Sequence, residues 1–158
     1  MAQRTEASER TEGGVRAERQ ERQLLAAGVL FAIGSTIHIV DHLRRGQGSV
    51  TETLFWAGNL ALVMQAVVVT LILTRHRLAP IVAVGAGFPL ALGFFVAHWL
   101  PQWSDLSDPV WEIDTWTWFS YLASTVEIVG ALAVGLAGLA IVRERGLASF
   151  GRAPSHTR

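Results

Sequence analysis

Four apolar runs, each long enough to cross a bilayer, constrain this chain more than any motif in it. Leu24 to Leu43, Thr53 to Thr74, Leu78 to Leu100 and Trp118 to Val142 each hold at least 20 residues, with polar segments between them. A hydrocarbon core of about 30 Å is crossed by roughly 20 helical residues, because a helix rises about 1.5 Å per residue. In lipid every backbone N–H and C=O must be satisfied inside the protein, which a helix does within one segment. The fold predicted is all-α: an integral membrane, antiparallel four-helix bundle with spans 24–43, 53–74, 78–100 and 118–142, the bundle as a whole covering 24–143.

The ends read differently. Residues 1–23 mix Arg, Glu, Gln and small residues without an aromatic, so they cannot bury a core and are expected as a disordered cytoplasmic tail or a frayed helix. They do not read as a cleaved signal, because the first apolar run starts late, has span length and ends in His42-Leu43-Arg44-Arg45. Gly146 is a plausible helix stop after the fourth span, and 144–158 is expected as a cytoplasmic tail. The absence of cysteine excludes disulfides, iron–sulfur clusters and thiolate zinc sites. All 13 basic residues are arginine, which with the Ala, Val and Gly bias points to a GC-rich bacterial genome and so to a bacterial plasma membrane.

Orientation follows from where those arginines fall, since cytoplasmic flanks of spans carry the excess of basic residues. Arg16, Arg19 and Arg22 precede the first span, Arg75 and Arg77 lie between the second and third, and Arg143, Arg145 and Arg152 follow the fourth. The other side has only Arg44 and Arg45. Both termini are therefore expected in the cytoplasm. Trp56, Trp99, Trp103, Trp111, Trp116 and Trp118 all fall at the outer side, where an indole can rest its apolar ring in lipid and its N–H in water.

Helices in lipid meet through small residues and polar groups rather than through hydrophobicity. Ser120, Ala123, Ser124, Glu127, Gly130 and Ala131 recur at helical steps and predict the packed face of the fourth span. Gly85, Pro89, Gly93 and Ala97 predict that of the third, with a kink at Pro89, and Trp56, Asn59, Val63 and Ala66 that of the second. Ser49-x-x-Glu52 reads as a capping box, and Asp108-Pro109 in the outer loop 101–117 as the N-cap and first position of a short surface helix.

Ionisable groups inside spans are costly and mark function. His38, Asp41 and His42 fall in the outer part of the first span, His98 at the outer end of the third and Glu127 deep in the fourth. The spacing His38-x-x-Asp41-His42 stacks two imidazoles at i and i+4, where adjacent turns can offer nitrogens to one ion while a carboxylate ligates or orients a ring. His38, Asp41, His42 and His98 are accordingly the candidate metal ligands, and Glu127 the candidate catalytic proton acceptor beneath them. Nitrogen and oxygen donors without sulfur favour a divalent zinc, manganese or iron ion. The competing arrangement pairs Asp41 with Arg44 or Arg45, leaves His42 and His98 at headgroup level and bonds His38 to Ser35 or Asn59. His76 and His156 read as solvated loop residues.

His38-Ile-Val-Asp41-His42-Leu-Arg44, Gly93-Phe-Phe-Val-Ala-His98-Trp-Leu-Pro101-Gln-Trp103-Ser-Asp105 and Glu127 together resemble small four-span membrane proteins of GC-rich bacteria with an H-x-x-D-H motif in the first span. The resemblance spans Leu24 to Val142 and implies a shared architecture without a mechanism. The function classes left open are a membrane-embedded binding protein or metalloenzyme with an outward His/Asp/Glu pocket, a proton-coupled transport or scaffold subunit, and a b-type haem carrier using His38 and His98. The partners expected are the lipid bilayer and either a second copy or another membrane protein. No nucleic acid is expected.

Overall fold

The computed structural model describes residues 2–114 and 117–146. Trp116 and the tail from 147 onward, with Arg152 and His156, lie outside the described residues. Four long helices carry the fold: α1 (Ala2–Arg45), α2 (Glu52–Leu73), α3 (Ala79–Trp99) and α4 (Thr117–Arg145). Each is long and apolar enough to cross a membrane. Consecutive helices run antiparallel, so the connections 46–51 and 100–116 share one end of the bundle, here the histidine end. The α2–α3 turn, the early part of α1 and the end of α4 share the other, the arginine end.

α4 is the spine. Its buried residues are those the small-residue periodicity marks, Ser120, Ala123, Ser124, Glu127, Gly130 and Ala131, and the stripe continues through Val134, Gly135, Gly138 and Ile141. α1 lays against it a stripe at the same steps, from Leu24 and Ala27 through Phe31 and Ser35 to His38 and Asp41. Glycine sets how close the two come: a Cβ at Gly34 would stand 2.8 Å from Glu127 Cα, and one at Gly130 would stand 2.7 Å from Phe31 Cα. Backbone contact of this kind is how helices associate where lipid competes equally well for apolar side chains.

Two predicted faces are wrong in register. Gly85, Pro89 and Gly93 are exposed, while Ala79, Ala83, Gly87 and Ala91 face α4. The two stripes have the same step of four but are offset by two residues, about 200° around a helix and so opposite faces. The true stripe is mostly alanine, which stands out less in an alanine-rich chain. Trp56, Asn59, Val63 and Ala66 are likewise exposed, and α2 buries only Gln65, Val68 and Ile72. Asn59 spends its amide on Phe55 O at 2.7 Å.

The ends also depart from expectation. Residues 2–23, expected as a disordered tail or frayed helix, continue α1 as helix. Ala, Glu, Gln and Arg are good helix formers, the nucleus is already laid in the span, and α4 provides a partner. Arg145 reaches Glu21 at 2.8 Å, and Gln20 reaches Glu144 at 2.5 Å. The cap of α2 is Thr51, whose hydroxyl accepts from Leu54 N at 3.1 Å, rather than Ser49, which closes a short 3₁₀ turn (Gln47–Ser49). A second 3₁₀ turn (Val110–Glu112) lies where a short surface helix is predicted, but Asp108 does not cap it. Asp108 turns inward, because two stronger partners wait there.

Candidate metal centre

α1 delivers His38, Asp41, His42 and Arg45 along one stripe, each three or four residues from the next and therefore on one face. The last residue of that stripe is what organises the site. Arg45, with a side chain only 6% exposed, donates from Nη1 and Nη2 to the two carboxylate oxygens of Asp108 at 2.9 and 2.6 Å. It also approaches Asp41 Oδ2 through Nε at 3.1 Å and His42 Nδ1 through Nη2 at 2.9 Å. Asp41 is satisfied further by Arg44 at 2.7 Å and by the Ser120 hydroxyl of α4 at 2.9 Å. Burial pushes the Asp108 carboxyl up, but the Arg45 guanidinium bonded to it outweighs burial and holds it below its ordinary value.

Asp108 in turn fixes the third histidine. Its N–H donates to Ala97 O at 2.8 Å, and its carbonyl lies 3.0 Å from His98 Nδ1. A carbonyl can only accept, so His98 carries its proton on Nδ1 and presents the Nε2 lone pair to the interior. The loop after α3 is thereby folded over the end of that helix, held to α1 by one arginine.

The three imidazoles meet in this frame. The ring of His38 lies 4.8 Å from that of His98 and 4.6 Å from that of His42, centre to centre, and those of His42 and His98 lie 6.0 Å apart. One nitrogen from each ring lies within 4.8 Å of the others, the spacing at which a shared metal ion is feasible. His38 and His98 are buried and His42 half-buried. Of the predicted ligands the structure therefore brings His38, His42 and His98 together, and places Asp41 in the adjoining arginine network instead. His76 lies at the arginine end, in the α2–α3 turn, where its Nδ1 accepts from Leu78 N at 3.2 Å.

Each ring has a partner behind it. Glu127 Oε2 stands 3.0 Å from His38 Nδ1, and neither atom has a hydrogen-bond partner among the described residues. Gln65 and Ser35 lie beside the same carboxyl. Arg45 can only donate, so it makes His42 Nδ1 an acceptor and leaves the proton on Nε2, which faces His38 Nε2 at 2.8 Å. The result is a bonded series Arg45, His42, His38, with the Glu127 carboxylate facing its far end at 3.0 Å. Two nitrogens bound to one tetrahedral ion at about 2.0 to 2.1 Å stand about 3.3 Å apart, so an ion entering here parts these rings by about half an ångström and requires the His42 proton to move from Nε2 to Nδ1, with Arg45 giving way.

Asp108 and Gly34 are the parts of the site that sequence reasoning missed; Ser120 was read only as packing, and the expected pairing of Asp41 with Arg44 or Arg45 is present with both, though Arg45's reach to Asp108 and His42 was not foreseen. Arg45 was visible in principle, since it extends the 38–41–42 stripe by one further step; Asp108 is 63 residues away in sequence from its partner, and nothing local announces it. Compared with known protein families, curated proteins and solved structures, the chain matches none.

Proposed function

We propose that the chain is a multi-pass protein of the bacterial plasma membrane that holds one divalent cation, zinc, manganese or iron, on His38, His42 and His98 near the outer face. The convergence of three imidazoles carries this reading, with His98 backed by a carbonyl and His38 facing a carboxylate. Ligating histidines are ordinarily oriented by acceptors of these two kinds on the second ring nitrogen. Three protein ligands leave a position open, the arrangement of zinc sites that bind or activate a small molecule rather than only brace a fold. Glu127 serves as the proton acceptor behind His38. A porphyrin does not fit between His38 and His98, whose tilted rings are already nearly in contact. The orientation rests on the arginines: at the histidine end, Arg44 and Arg45 are both engaged by buried carboxylates and add little surface charge.

Metal analysis of the protein purified in detergent tests the assignment. About one ion per chain is expected, most of it lost in His38→Ala and retained in His156→Ala. Equal loss in both variants means adventitious binding by imidazole. Reporter fusions test the orientation, both termini reporting cytoplasm and a fusion at Ser107 the outside; a periplasmic C-terminus contradicts it.

The bonded series from Arg45 to His38, with Glu127 facing its end at 3.0 Å, favours a second reading, in which the histidines relay a proton and no ion is held. The relay would be served from the histidine end alone, because Phe31, Val68, Ala131 and Val134 pack the bundle toward the arginine end without a polar group. Absence of stoichiometric metal from protein purified without chelator selects this reading.

A further inference from the structure

At the arginine end, far from the histidines, a cleft of about 100 Å³ opens between the α2–α3 turn and the facing ends of α1 and α4. Its walls divide by chemistry. Leu24, Ile72 and Ile141 form an apolar floor, while Arg75, Arg77 and Arg145 surround the mouth with Glu21 as the one acid. Arg145 is bound to Glu21 at 2.8 Å.

Arg75 is the telling residue. α2 ends with Arg75 N donating to Ile72 O at 3.0 Å and His76 N to Leu71 O at 2.9 Å, the paired bonds of a helix stop whose middle residue is left-handed. Arg75 has φ 51° and is the only non-glycine residue with positive φ among the described residues. Glycine is the usual occupant, because a Cβ is strained there. Strain retained at a charged residue beside a cleft is a sign that the side chain is needed in that place.

We infer that this cleft binds an anionic phospholipid, its headgroup phosphate among the guanidinium groups of Arg75, Arg77 and Arg145. Guanidinium groups bind phosphate oxygens in pairs, and basic pockets between helices at the cytoplasmic face recognise such headgroups. A free phosphate would meet the same arginines; their place beside the ends of helices read above as crossing the bilayer, where headgroups lie, favours the lipid. The inference rests on the bilayer reading above and is independent of the metal.

The melting temperature of the full chain in detergent micelles, followed while phosphatidylglycerol, phosphatidylcholine or inorganic phosphate is titrated, tests it. A ligand that binds only the folded state raises that temperature with concentration. Phosphatidylglycerol should raise it and the other two should not. Arg145→Gln or Arg77→Gln should weaken the apparent affinity for phosphatidylglycerol roughly fivefold, the equivalent of about 1 kcal/mol per arginine at a membrane surface. Arg75→Gly separates binding from folding: it relieves the left-handed strain, so the lipid-free protein should melt no lower than the parent while the response to phosphatidylglycerol shrinks. Equal responses to phosphatidylglycerol and phosphatidylcholine overturn the inference, as does a full response in Arg75→Gly. A response to inorganic phosphate as large as that to phosphatidylglycerol also overturns it, in favour of a free anion. Failure of the bilayer reading would show separately, as release of the chain from membranes by alkaline carbonate.

Discussion

Asp41 and Asp108 show how two carboxylates near one histidine cluster come to do different work. Asp41 is 2% exposed, accepts from Arg44 and Ser120 and is ion-paired with Arg45, so its oxygens are spent on holding α1 to α4. Breaking a buried pair by removing one partner strands the other charge and costs about 3 to 5 kcal/mol. Asp41→Ala should therefore lower thermal stability in detergent by an amount of that order while folded protein keeps its full metal content. Loss of metal at unchanged stability would instead make Asp41 a ligand. Asp108 carries the pH dependence of the loop. Its folded pKa lies below the ordinary value of 3.8, so the stability it contributes is present above that value and disappears as pH falls through the folded one. Proteolysis of the loop near Gln102 to Leu106, or emission from Trp103 and Trp111, should report its release only below about pH 4. Release between pH 5 and 7 would assign the latch to another group.

At the scale of helices, the crossing of α1 and α4 decides whether Glu127 can reach His38 at all. The nearest atoms to a Cβ at Gly34 are backbone atoms of Glu127 and Val126, which cannot turn away as a side chain could. Gly34→Ala should push the helices apart, destabilise the bundle by about 1 to 3 kcal/mol as overpacking does, and weaken metal binding, whereas Leu136→Ile on the exposed side of α4 should do neither. The sequence made the four spans and the α4 stripe legible, because apolar length and helical period are local properties. The faces of α2 and α3 were not legible: polar and small residues recur on both sides of those helices, and only the partner decides which side is buried. His38, His42 and Glu127 announced themselves as ionisable groups within apolar runs. Their frame did not, because Asp108 looks like an ordinary loop N-cap until α1 is set beside it.

Over the whole molecule, arginine and aspartate gather toward the two ends, with Glu127 and Gln65 as buried polar groups deeper in the bundle. Toward the histidine end lie the imidazoles, the arginine–aspartate network and the exposed Trp56, Trp103, Trp111 and Trp118. In the middle, Phe31, Ala83, Ala131 and Val134 are sealed from contact with solvent or lipid, and the arginines gather at the far end. That sealed middle makes passage through the chain from face to face the less natural activity. Everything then turns on whether the three imidazoles act on one ion. X-ray absorption at the metal edge of the purified protein measures this directly. The account predicts a first shell with three nitrogen scatterers at about 2.0 to 2.1 Å if the ion is zinc, carrying the outer-ring scattering pattern of imidazole and losing one such ligand in His98→Gln. A shell made of oxygen without imidazole scattering, or one that His98→Gln leaves unchanged, would contradict it.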